Sequence, residues 1–119
     1  MSNNFLNKCP IFLKHIKEVS SCVGPGWVQL VEDACIKIEN LNKGVVCTQI
    51  KEKFGGLRIY TDTYPDEVDE IIFKAEELAE KTCEFCGSIE NIKMRTNGWW
   101  KTLCDSCDTK RIEQKKGSE

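Results

Sequence analysis

The chain has 119 residues, 40% of them apolar, which suits one compact domain with a modest core. Seventeen Lys and Arg against nineteen Asp and Glu leave a net charge of −2, so there is no global basic field to hold a phosphate backbone. No apolar run approaches the roughly 20 residues that span a bilayer, and the opening MSNNFLNKCPIFLKHIKEV is interrupted by Lys8, Pro10, Lys14 and Lys17, so a soluble, unsecreted protein with no membrane partner is expected.

In chain order, Pro10 suits the first turn of a helix, and Phe12, Leu13, Ile16 and Val19 recur on one face, predicting a short amphipathic helix over 10–20. The segment SSCVGPG interrupts it. Trp27, Leu30, Val31, Ala34, Cys35, Ile38 and Leu41 then follow helical spacing until Asn42-Lys43-Gly44 stops them, predicting a helix over 27–41. The period changes in VVCTQIKEKFGGLRIYTD, where β-branched and aromatic residues surround Gly55-Gly56. A β-hairpin over 45–62 is expected, with strands of about 45–53 and 57–62.

Residues 62–80 carry eight acids against one cation. Pro65 with Asp66, Glu67, Asp69 and Glu70 favours a helix start, since negative charge complements the amino-terminal end of the helix dipole. Val68, Ile71, Ile72, Ala75, Leu78 and Ala79 mark its buried face, so the helix runs over 66–81 and most of the acids form its solvated side.

The pattern Cys83-x2-Cys86-Gly followed by Cys104-x2-Cys107 carries the clearest chemistry. A C-x2-C turn aims two sulfurs at one point, and two such pairs complete the closed tetrahedral shell of structural Zn2+. A filled shell leaves no position for an activated water, which argues against hydrolytic zinc chemistry. Between the pairs, 91–95 and 99–103 flank Thr96-Asn97-Gly98, a strong hairpin turn, and DSCDTKRIEQKK continues as a helix carrying the second pair in its first turn. The expected class is therefore α+β: a small helical body with a β-hairpin over 1–81, a four-cysteine zinc module over 82–116 packed on it, and a tail at 117–119. The remaining thiols, Cys9, Cys22, Cys35 and Cys47, lack paired spacing and read as small buried residues, with a second metal site involving His15 as the alternative.

Knuckle, hairpin and helix in that order resemble the treble-clef zinc fingers over residues 82–115. Three stretches together, GPGWVQLVEDACIKIE, QIKEKFGGLRIY and TCEFCG…GWWKTLCDSC, resemble a family of small uncharacterised proteins frequent in bacteriophages and mobile elements. That resemblance implies a bacterial cytoplasm as the place of work and carries no mechanism with it.

Catalysis has little support in the residues: His15 is the sole histidine, and Gly55-Gly56 lacks the Lys-Ser/Thr of a phosphate loop. The leading expectation is a non-enzymatic, zinc-stabilised binding protein acting on a partner protein, with inhibition of a bacterial defence or host enzyme as its most specific form. The alternative is nucleic-acid binding through the zinc hairpin, where Lys93, Arg95, Trp99, Trp100 and Lys101, with Lys110 and Arg111 beyond, would combine stacking with phosphate contact. Arg58 and Tyr60, with Lys51 and Lys53, offer a further candidate contact surface on the first hairpin, although solvated strand edges are rich in such residues anyway and that reading is favoured. A third reading is an enzyme or small-ligand protein with a pocket between that hairpin and the helical body.

Overall fold

A computed structural model of the chain describes residues 4–19, 22–96 and 100–117. Among the described residues, three α-helices and two separate antiparallel hairpins give an α+β fold with the paired cysteines at its carboxy-terminal end. Helix α1 (Val28–Asn40) follows a 3-10 turn at Pro25–Trp27, and buries Leu30, Val31, Ala34, Cys35 and Ile38 along one stripe. It ends where Asn42 takes a left-handed φ of 57°, a conformation that Asn tolerates at the residue after a helix.

Strands β1 (Cys47–Lys53) and β2 (Gly56–Thr61) pair antiparallel, and alternation along β2 buries Leu57, Ile59 and Thr61. The turn between them falls on Phe54-Gly55, one residue before the expected Gly55-Gly56, because Gly56 already pairs with Lys53. Helix α2 (Asp66–Ala79) packs Val68, Ile72, Ala75 and Ala79 inward. Leu78, expected on the buried face, is exposed, and Ile71 is half-buried. Strands β3 (Lys93–Arg95) and β4 (Lys101–Leu103) form the second hairpin, and α3 (Asp105–Gly117) follows directly. Among the described residues no helix is long and apolar enough to cross a membrane.

The helix expected over 10–20 is replaced by turns through residues 10–15, with a 3-10 helix at Asn4–Lys8 before them. Leu13 N does reach Cys9 O four residues back, but Lys14 N and Ile16 N bond three residues back, to Ile11 O and Leu13 O, and Phe12 is engaged outside the segment. Phe12 N donates to Glu39 Oε1 on α1 at 2.8 Å, and Cys47 N donates to Phe12 O at 2.8 Å. The apolar residues still reach the core: Cys9, Phe12, Leu13 and Val19 are all buried there.

The cysteine module is joined to the helical body through Gly24-Pro25-Gly26-Trp27. Gly26 N donates to Glu84 O at 2.7 Å, Gly24 N to Glu84 Oε2 at 3.1 Å, and Trp27 Nε1 to Thr82 O at 2.9 Å. Trp27 is wholly buried, so its indole N–H needs such an acceptor.

Candidate metal centre and contact face

Cys83 and Cys86 lie on the turn after α2, where Gly87 N closes back onto Cys83 O at 2.9 Å and Gly87 adopts a φ of 84° that a side chain would resist. Cys104 immediately precedes α3 and Cys107 sits in its first turn. The four sulfurs lie within 4.8 Å of one another, and Cys86 Sγ is 3.8 Å from Cys104 Sγ. Tetrahedral coordination at a metal–sulfur distance of about 2.3 Å puts ligand sulfurs about 3.8 Å apart, so a single ion fits among these thiols. Amide N–H groups point at two of the sulfurs, from Cys86 to Cys83 Sγ at 3.5 Å and from Cys107 to Cys104 Sγ at 3.4 Å. Such contacts favour the thiolate that a metal needs.

Burial pushes the Cys83 thiol up, but backbone contacts from Cys104, Cys86 and Phe85 outweigh it and bring it down to about 7. Burial, together with Cys104, Cys83 and Cys86, holds Cys107 well above the ordinary thiol range. Cys86, lowered by the Ser88 backbone and by Cys107, is raised on balance by burial and by the sulfurs of Cys83 and Cys104. Without a cation these shifts favour charge on Cys83 over Cys86 and Cys107. A bound dication reverses that balance, because it stabilises every coordinating thiolate.

Among the described residues no second group of metal-ligating side chains comes together. Burial pushes Cys9 up to about 11 and Cys47 up to about 12, and Cys35 well above the ordinary value, so these core sulfurs remain protonated thiols. His15 is exposed and outside the metal cluster.

Gly55 O accepts a 2.7 Å hydrogen bond from Thr102 Oγ1, which docks the tip of the first hairpin onto the second. Lys101 Nζ stands 3.4 Å from both Glu52 Oε1 and Glu84 Oε1, bridging both hairpins and the knuckle. Only the Glu52 contact has hydrogen-bond alignment; Glu84, whose pKa is raised chiefly by burial, keeps an Oε1 that accepts no hydrogen bond. Around this joint three apolar side chains face outward: Phe54 (67% exposed), Trp100 (49%) and Met94 (44%). The rings of Phe54 and Trp100 meet edge to face at 6.2 Å. Phe54 has a φ of 53°, sterically costly for a bulky residue.

The expected contact residues separate into different roles. Arg95 is a staple of the module: it reaches Asp105 at 2.7 Å, Asp108 at 3.5 Å and Leu103 O at 3.2 Å, and only 14% of its side chain is exposed. Arg111 pairs with Asp108. Lys93 and Lys110 are exposed, and Trp99 lies outside the described residues. Arg58 and Tyr60 line a groove of about 630 Å3 between β2 and α2, together with Tyr64, Phe73 and several α2 carboxylates. The lining of this open groove is acidic and aromatic. Phe54 and Met94 were not singled out by sequence; the Phe-Gly pair at the hairpin tip was the available signal. No protein-family model matches the chain, and no curated protein or solved structure matches it.

Proposed function

We propose that the chain is a non-enzymatic, zinc-stabilised binding protein that acts by occupying a partner protein through Phe54, Met94 and Trp100. The observation that carries this reading is Phe54. A ring held in a left-handed backbone conformation and largely exposed gives little to the fold, whereas a rigid aromatic anchor suits a partner's apolar pocket. Four thiolates favour zinc among the common divalent ions, and the order of knuckle, hairpin and helix supports a treble-clef reading. The phage-type resemblance makes a bacterial host enzyme or defence protein, in the cytoplasm, the partner to test first.

Affinity capture from bacterial lysate with the wild type and Phe54→Asn tests this. A protein retained by the wild type at low and high salt and lost with the variant supports it. Identical retention by both refutes it.

A second reading is single-stranded nucleic acid stacked on the same rings, favoured by Lys53 Nζ at 5.9 Å from the Phe54 ring and Lys51 Nζ at 5.8 Å from that of Tyr60. It ranks lower because Arg95, Lys101 and Arg111 are engaged by acids. Quenching of Trp fluorescence by single-stranded DNA, reversed by salt, would favour it.

A further inference from the structure

Accessibility divides the four ligand residues sharply. Cys83, Cys104 and Cys107 are buried, whereas Cys86 is exposed on the knuckle beside Phe85, which is itself exposed. Cys104 Sγ waits 3.8 Å behind it. We propose that Cys86 is an oxidation site through which a hydroperoxide disarms the metal centre, with Cys104 as the resolving thiol. The inference rests on the zinc reading above and is independent of the partner's identity.

The chemistry closes within these two residues and the peroxide. The Cys86 thiolate attacks a peroxide oxygen, the O–O bond breaks, and the sulfur becomes a sulfenic acid while hydroxide or alkoxide leaves. The sulfur loses two electrons and the peroxide gains them. The Cys104 thiolate then attacks the Cys86 sulfur, an S–S bond forms, and the S–O bond breaks; the departing hydroxide takes a proton and becomes water. Cys83 and Cys107 remain as the only thiolate ligands, too few to retain the ion. Because β4 leads directly into Cys104, the change loosens the hairpin that carries Met94 and Trp100.

The other cysteines are poor competitors. Cys9, Cys35 and Cys47 are buried protonated thiols, and the half-buried Cys22 donates its S–H to Glu18 O at 3.2 Å. Cys86 is the exposed member of the four-cysteine cluster and has a second sulfur, Cys104 Sγ, 3.8 Å away.

The experiment takes the full-length protein, loaded with zinc and checked by elemental analysis, and adds one equivalent of hydrogen peroxide. A chromogenic chelator follows zinc release and peptide mapping locates the disulfide. The expected result is release of zinc with a Cys86–Cys104 disulfide, reversed by dithiothreitol and fresh zinc. Cys86→His preserves a set of three thiolates and one imidazole that zinc accepts while removing the exposed thiol, and should slow release at least about tenfold. Oxidation first at Cys9, Cys22, Cys35 or Cys47, a disulfide between other ligands, or wild-type release by Cys86→His would overturn the proposal. If Cys86→His does not fold, the wild-type map decides alone. A protein that takes up no zinc would instead fail at the elemental analysis, refuting the metal reading itself.

Discussion

Replacing Gly26 with alanine tests the joint between the helical body and the cysteine module. A Cβ there would overlap the carbonyl oxygen of Cys83 and stand 2.5 Å from Gly87 N and 2.8 Å from Glu84 C, all backbone atoms of the knuckle. No rotamer change can relieve such contacts. Overpacking costs about 1–3 kcal/mol. Separating the segments also weakens the Gly26 N–Glu84 O bond and the neighbouring Trp27 Nε1–Thr82 O bond, at about 1 kcal/mol each. Gly26→Ala should therefore lower stability by about 3–5 kcal/mol. It should also weaken zinc retention, since Cys83 moves with its carbonyl. Gly44→Ala is the control: its φ is 70° but nothing lies within 4 Å, so only the backbone cost of about 1 kcal/mol applies. Urea unfolding of the zinc-loaded proteins, followed by Trp fluorescence, gives both values. A Gly26→Ala protein within about 0.5 kcal/mol of the wild type would mean that body and module are not packed in this way.

Removing the metal with a chelator, or replacing Cys83 and Cys86 together by serine, should abolish zinc binding and lower stability by about 3 kcal/mol or more; unchanged thermal stability would refute a structural metal. Phe54→Asn should leave stability within about 1 kcal/mol of the wild type in the same unfolding assay, because relief at the positive φ offsets the lost ring contacts. The fully buried Phe12→Ala should instead cost roughly 3–5 kcal/mol. Glu76, whose pKa is raised chiefly by burial and further by Asp69 and Glu80, takes up its proton in the folded chain at a higher pH than in the unfolded one. Its contribution thus favours folding increasingly as pH falls through that raised value and opposes it above. Glu76→Gln should match or exceed wild-type stability at pH 7, with the difference shrinking as pH falls toward 5; a difference that grows would contradict the sign.

Helices α1 and α2 and the first hairpin were legible because their apolar residues recur with the period of the element and their ends carry Asn42, Gly44 and Pro65. The four metal-ligand candidates were legible because their spacing is itself the chemistry. The segment at 10–20 misled because its apolar spacing was helical while its backbone partners, Glu39 and Cys47, lie 27 and 35 residues away. Arg95 looked like a contact residue for a similar reason: Asp105 and Asp108 reach it only once α3 folds back beside β3. The joint at Gly26 left a faint trace in Gly-Pro-Gly, but its partner, the knuckle, is identifiable only in three dimensions.

The distribution of charge bears on how a partner would be held. Arg95, Lys101 and Arg111 are engaged by Asp105, Asp108, Glu52 and Glu84, so their charges are compensated locally. A partner at this end would then depend on short-range burial of Phe54, Met94 and Trp100 more than on long-range attraction. Such a face works best when already ordered, since ordering side chains on binding costs affinity. Thr102 holds Gly55, Lys101 ties Glu52 to Glu84, and Cys104 follows β4 at once, so the four-cysteine cluster is linked through β4 to the two hairpins that carry Phe54, Met94 and Trp100. Loss of zinc should therefore weaken partner binding even where the helical body stays folded, and a zinc-free protein that still binds at full affinity would separate the two.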